Sequence, residues 1–213
     1  MAVSLLIILS VVVVFAGSRL YSQYREQVIR TEESQLLTMA GIVGNNLNSY
    51  MEQQLEEIDL FYSREGMPEN VWAESGGINA RTAYFLKENA GVYNWITVTE
   101  PDGTKFRYEP GKKTFQESAD GEVKTVDSQN ENHPAEITGK EISDQTGWYE
   151  LYIEKNVPVG SEVYMLTFAM DLGALYEKIV APVKIGEAGY SSVKDQNMNI
   201  IMHHVRTRSV LKR

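Results

Sequence analysis

Uncharged, mostly apolar residues run from position 2 to 17. The stretch AVSLLIILSVVVVFAG carries no charge and has no polar face, unlike a helix that packs one side on a soluble core. A bilayer core takes about 20 such residues in a helix, and this run approaches that length if Arg19 snorkels toward the interface. The pattern predicts a transmembrane anchor over residues 1–17. A cleaved signal peptide is the rival reading, because Ala16, Gly17 and Ser18 offer small residues where cleavage would fall. Beyond residue 18 the periodicity changes. Leu36, Ala40, Val43, Leu47, Met51, Leu55, Ile58 and Tyr62 recur at intervals of three or four, which marks one face of a long helix. Residues 18–62 contain no proline, so the segment predicts a stalk about 65 Å long at 1.5 Å per residue. Its stripe suits packing on the domain behind it, pairing with a second copy, or both.

Glycine and proline in SREGMPEN end the helical pattern near residue 63. Residues 79–90 predict a short helix with Asn79 as its cap. Residues 92–99 are rich in β-branched and aromatic side chains, PDG at 101–103 supplies a turn, and 104–108 is the return strand. The polar stretch 111–143 reads as a long loop. Residues 147–156 and 161–172 predict a second strand pair joined through VPVG, and 172–180 a short amphipathic helix. A final hairpin is expected over 189–203. Strands joined by short turns are antiparallel, so the fold class is α+β, with helices packed on an antiparallel sheet.

The formal net charge of −9 gives no basic face for nucleic acid. The absence of cysteine excludes disulfides, cysteine-ligated zinc and cysteine nucleophiles. No phosphate loop or metal-spaced histidine set is present. His203 and His204 are adjacent, and neighbours on a strand point to opposite faces, so they do not converge on one metal. No cofactor and no catalytic constellation is predicted. Instead, polar aromatics gather on the expected strands: Tyr93, Trp95, Trp148, Tyr149, Tyr152 and Tyr164. Each combines apolar area with a hydrogen-bonding tip, which suits a sheet core with aromatic rims or a pocket for a small polar molecule. Asp171 ends the apolar strand VYMLTFAMD where a helix begins. It is placed either to cap that helix or to accept a ligand ammonium.

Anchor, stalk, the strand pair around PDG, WY at 148–149, MDLGALYEKI at 170–179 and VKIGEAGYSSVKDQNMNIIMHH at 183–204 together resemble the double-Cache family of PAS-like extracytoplasmic sensor domains. These sit in bacterial sensor kinases, chemoreceptors and diguanylate cyclases. The resemblance implies an anchor at 1–17, a stalk at 18–62, a membrane-distal PAS-like module at 63–180 and the start of an incomplete membrane-proximal module at 181–213. It implies a ligand site drawn from Trp148, Tyr149, Tyr164, Asp171, Tyr93 and Trp95, and a homodimer joined through the stalk. Thr146 stands where the amino-acid-binding subset carries an arginine, so the resemblance implies a ligand presenting an amine rather than one held by a carboxylate clamp. The function so implied is small-molecule sensing outside the cytoplasm by a cell-membrane receptor whose catalytic output, if any, lies elsewhere. An anchored or secreted structural protein that binds nothing small is the alternative reading, and an enzyme is the third.

Overall fold

A computed structural model describes residues 2–63, 77–111, 116–117, 133–183 and 189–204, without the side chains of residues 2–11 and 116–117. The predicted helix stop at SREGMPEN lies almost wholly outside the described residues, as does the tail 205–213. The chain divides into two units, residues 1–45 and 46–213. Helix α1 runs Ala2–Tyr62. In the first unit it presents exposed apolar side chains, among them Ile29, Leu36, Leu37 and Ile42. Among the described residues no helix is long and apolar enough to cross a membrane; much of the predicted anchor lies outside the described side chains.

The second unit is built on a six-stranded antiparallel sheet. Its strands are β1 Tyr93–Thr99, β2 Lys105–Tyr108, β3 Gln116–Glu117, β4 Glu136–Ile142, β5 Tyr149–Val159 and β6 Glu162–Asp171, in the spatial order β3-β2-β1-β6-β5-β4. Gly103, at φ 88, closes the β1–β2 turn, while Asp102 Oδ1 accepts from the Thr104 amide at 2.8 Å. That is the turn chemistry the PDG stretch announces.

One face of the sheet carries the core. Ile96, Val98, Ile153, Val157, Leu166 and Phe168 are fully buried. They pack beneath the end of α1 and beneath α2, Gly77–Glu88. The rings of Tyr62, Phe85 and Tyr93 each lie 5.7–5.9 Å from Phe168. The buried line of α1 passes through Gln54, Ile58 and Tyr62, one position off Met51 and Leu55 of the predicted stripe. Gln54 is tolerated there because its Oε1 accepts from Tyr93 Oη at 3.0 Å, which satisfies two buried polar groups at once. Lys155 lies on the same face. Its ammonium meets Asp59 of α1 at 2.8 Å and donates to the His133 carbonyl at 2.9 Å.

Three expectations are corrected. Asn79 lies inside α2 rather than at its cap, and its Oδ1 accepts from Tyr108 Oη at 2.7 Å. The stretch 111–143 is not a loop throughout. It contains β4, whose charged residues belong on a sheet edge where one side meets water. The VPVG segment does not turn the chain at its proline: β5 continues through Pro158, which pairs with Val163, and Gly160 makes the turn at φ 67. After β6 comes α3, Leu172–Leu175, which runs into a π-helical turn, Tyr176–Val180. A separate two-stranded sheet follows, β7 Val193–Lys194 with β8 Ile200–Met202.

Candidate functional site

The face of the sheet away from α1 is where side-chain chemistry gathers. Its assembly begins with an irregularity in β1. Tyr93 pairs with Met170 and Trp95 with Ala169, so the register slips by one at Asn94. Two residues apart on a regular strand share a face. The bulge instead sends Tyr93 into the core and Trp95 to the opposite face. Tyr93 is 1% exposed, and burial pushes its phenol well above the usual tyrosine range.

On β5, residues 150 and 152 alternate onto the same face as Trp95. Glu150 is only 4% exposed. Its two oxygens accept from Asn94 Nδ2 at 2.7 Å and from Trp95 Nε1 at 3.2 Å. The bulge residue and the residue it redirects thus both serve one carboxylate. Tyr152 lies with its ring 5.5 Å from Trp95 and donates to Glu141 Oε2 at 3.1 Å. Desolvation, then the Glu141 charge, raises the Tyr152 phenol. Arg107 of β2 places its guanidinium carbon 4.3 Å from the Trp95 ring centroid and lies 3.3 Å from Glu109. A cation over an indole face is attracted by the ring quadrupole.

Asp171 is the register partner of Glu150 and closes the row. Its Oδ1 accepts from the Gly173 amide at 2.8 Å, capping α3. Burial, with Glu150 adding to it, holds its carboxyl above the usual range against the opposing pull of the backbone amides. Trp148 stacks on Tyr176 with centroids 6.0 Å apart and planes 20° apart, and lies against the α-carbon of Gly173. Behind Asp171, Tyr50, Val92, Ala174 and Lys178 help to line a cavity of about 30 Å³, room for a water molecule or two.

Of the six residues predicted for the site, Trp95 and Asp171 flank Glu150 on one face of the sheet, and Trp148, just before β5, lies against Gly173 and Tyr176. Tyr149 alternates to the other face. Tyr164 lies toward the far end of β6, where it donates to Glu162 at 3.1 Å, and Tyr93 belongs to the core. Glu150, Arg107 and Asn94 also belong to this face and are not among the residues the sequence predicts for the site. The alternation of Glu150 and Tyr152 is readable in the sequence; the bulge that adds Asn94 and Trp95 is not. Near the last sheet, Tyr190, His203 and His204 form a cluster with ring centroids 3.7–4.8 Å apart. No group of side chains suited to hold a metal ion occurs among the described residues.

No family model matches the chain, and no curated protein matches it in sequence. Its fold is similar to the ligand-binding domain of the Campylobacter jejuni chemoreceptor Tlp3 in complex with 4-methylisoleucine, with a TM-score of 0.52 at 13% identity, covering 80% of this chain and 70% of that one. The sensory domain of the same receptor gives 0.52 at 13% identity, over 83% and 72%. A domain of a Vibrio parahaemolyticus protein of the sensory box/GGDEF family gives 0.45 at 15% identity, over 70% and 64%, a likeness too loose to build on. At these identities the comparison establishes architecture: the chain has the PAS-like fold of chemoreceptor sensory domains.

Proposed function

Starting from that sensory-domain fold, we propose that the chain is the small-molecule-sensing region of a membrane-bound signalling receptor and works outside the cytoplasm. One observation carries the reading. The sheet face away from α1 joins a half-buried indole, a guanidinium stacked on it, a second aromatic ring and a buried carboxylate. Apolar faces with a few convergent polar groups are the make-up of small-ligand sites. Trp95, Tyr152, Trp148, Glu150 and Asp171 form the proposed site. Its excess of carboxylates favours a ligand bearing an amine, with the aromatic faces holding its body.

The run at 1–17 serves as the anchor in this reading. The exposed Ile29, Leu36 and Ile42 of α1 pair with the same residues of a second copy, so a ligand-driven shift in either protomer reaches a shared stalk. The test is a thermal-shift screen on the purified full chain, using amino acids, their decarboxylated amines and purines. A ligand held at one hundred times its Kd adds about 2.7 kcal/mol, about 5–10 °C for a chain of this size. Trp95→Ala abolishes that shift. If no compound raises the melting temperature at millimolar concentration, the structural-protein reading takes its place. Topology is tested separately. The chain has no cysteine, so a single Gln145→Cys label site reacts with an impermeant maleimide in intact cells. Labelling only after lysis rules out the extracytoplasmic placement.

A further inference from the structure

We propose that the ion pair between Lys140 on β4 and Asp195 in the β7–β8 turn is a latch. It holds the second sheet to the edge strand of the first and releases it without unfolding the first. Lys140 Nζ pairs with Asp195 Oδ2, with the two side chains 31% and 9% exposed. The same carboxylate organises the turn it belongs to. Its Oδ1 accepts from the amides of Asn197 and Asn199, both at 2.9 Å, and its Oδ2 from Asn199 Nδ2 at 3.1 Å. Met198 stands between those amides at φ 64, a conformation that costs a non-glycine residue energy and persists only where its surroundings impose it. Lys140 thus completes the coordination of the carboxylate that imposes it.

The rest of the hairpin is weakly held. Strands of two and three residues do not stand alone in water, and the apolar anchor of β8 is Met202, 4% exposed. Elements with so little buried surface open at low free energy while the core stays closed. The latch also sits beside the candidate ligand face. Residues 140 and 141 alternate across β4, and Glu141 accepts from the Tyr152 that lies against Trp95. A displacement of β4 by an occupant of that face would move the base of the latch. This role in transmission rests on the sensory reading above, whereas the latch itself stands whether or not the face binds anything.

Amide hydrogen exchange on the ligand-free full chain tests it. In Lys140→Met the amides of Met198 and Asn199 exchange at least fivefold faster, with β5 and β6 unchanged. Asp195→Asn retains the Oδ1 acceptor of the turn and gives a similar rise. The double variant rises no further than either single one, because both remove the same interaction. Lys140→Arg keeps the wild-type rates to within twofold. A rise below fivefold in Lys140→Met overturns the latch. So does additivity in the double variant, or faster exchange spread through β5 and β6, which would make Lys140 a general support of the fold. None of these results bears on whether the face binds a ligand, which the thermal-shift screen decides.

Discussion

Gly173→Ala isolates how Trp148 is held. Gly173 is the second residue of α3 and lies directly under the indole. A β-carbon there falls 2.5 Å from both Cδ1 and Cγ of Trp148 and 2.8 Å from Cδ2. Ordinary carbon contacts are about 3.5–4.0 Å, so the indole must retreat by about 1 Å. Cγ sits next to the backbone and turns little with the ring, and Tyr176 stacks on the same indole. Overpacking of this kind costs about 1–3 kcal/mol. Against it stands the helix preference of alanine over glycine, up to about 1 kcal/mol in a helix interior and less in a first turn. The net loss is about 1–2 kcal/mol, or about 2–8 °C in melting temperature. Circular dichroism of the full chain reads it. Trp148→Ala removes every indole atom, Cγ included, so adding Gly173→Ala to that variant costs nothing further. A Gly173→Ala chain as stable as wild type, or the same loss in both backgrounds, would refute the contact.

Removing Asp59 and removing Lys155 are unequal. Asp59→Ala strands a buried ammonium and costs about 3–5 kcal/mol, whereas Lys155→Met leaves a half-buried carboxylate still bonded to the Ala135 amide and costs less than half as much; equal losses in urea unfolding would contradict the pairing. Tyr93→Phe leaves Gln54 Oε1 buried without its donor and lowers stability by about 1–3 kcal/mol; no change would mean that Gln54 finds another partner. Asp171→Asn preserves the Oδ1 acceptor of the α3 cap while removing a carboxyl whose pKa burial and Glu150 raise. The folded chain therefore binds that proton more tightly than the unfolded one, and wild type loses stability as pH rises through the carboxylate range. The asparagine variant gains on wild type at neutral pH, and the gain fades below about pH 4; a difference independent of pH, measured by thermal melts from pH 3 to 8, would exclude ionisation as the cause.

Much of the architecture was legible because it follows from local rules. Periodicity exposed the long helix, β-branched and aromatic runs exposed β1, β5 and β6, and PDG located a turn whose glycine needs positive φ. What escaped notice depends on partners far along the chain. β4 has few apolar residues, so its strand character comes from pairing with β5 rather than from its own composition. Asn79 looked like a cap because capping is judged locally, yet its side chain is committed to Tyr108, 29 positions away. Gln54 breaks the apolar stripe of α1 for the same kind of reason, since only the fold shows that Tyr93 is there to meet it.

The candidate site was harder to read than the fold, and the bulge at Asn94 explains why. Alternation alone assigns Tyr93 and Trp95 to one face, and a reading limited to residue types counts both as site aromatics. One extra residue in β1 separates them: Tyr93 goes to the core with a hydrogen bond to α1, and Trp95 to Glu150. It also turns the Asn94 amide onto the same carboxylate. A buried acid costs several kcal/mol unless its oxygens are satisfied, so Glu150 at 4% exposure is sustained by this one irregularity. Deleting Asn94 would make Tyr93 and Trp95 neighbours on a regular strand, still on opposite faces, and would take from Glu150 the shorter of its two hydrogen bonds. The feature least visible in the sequence is therefore the one on which the proposed site depends.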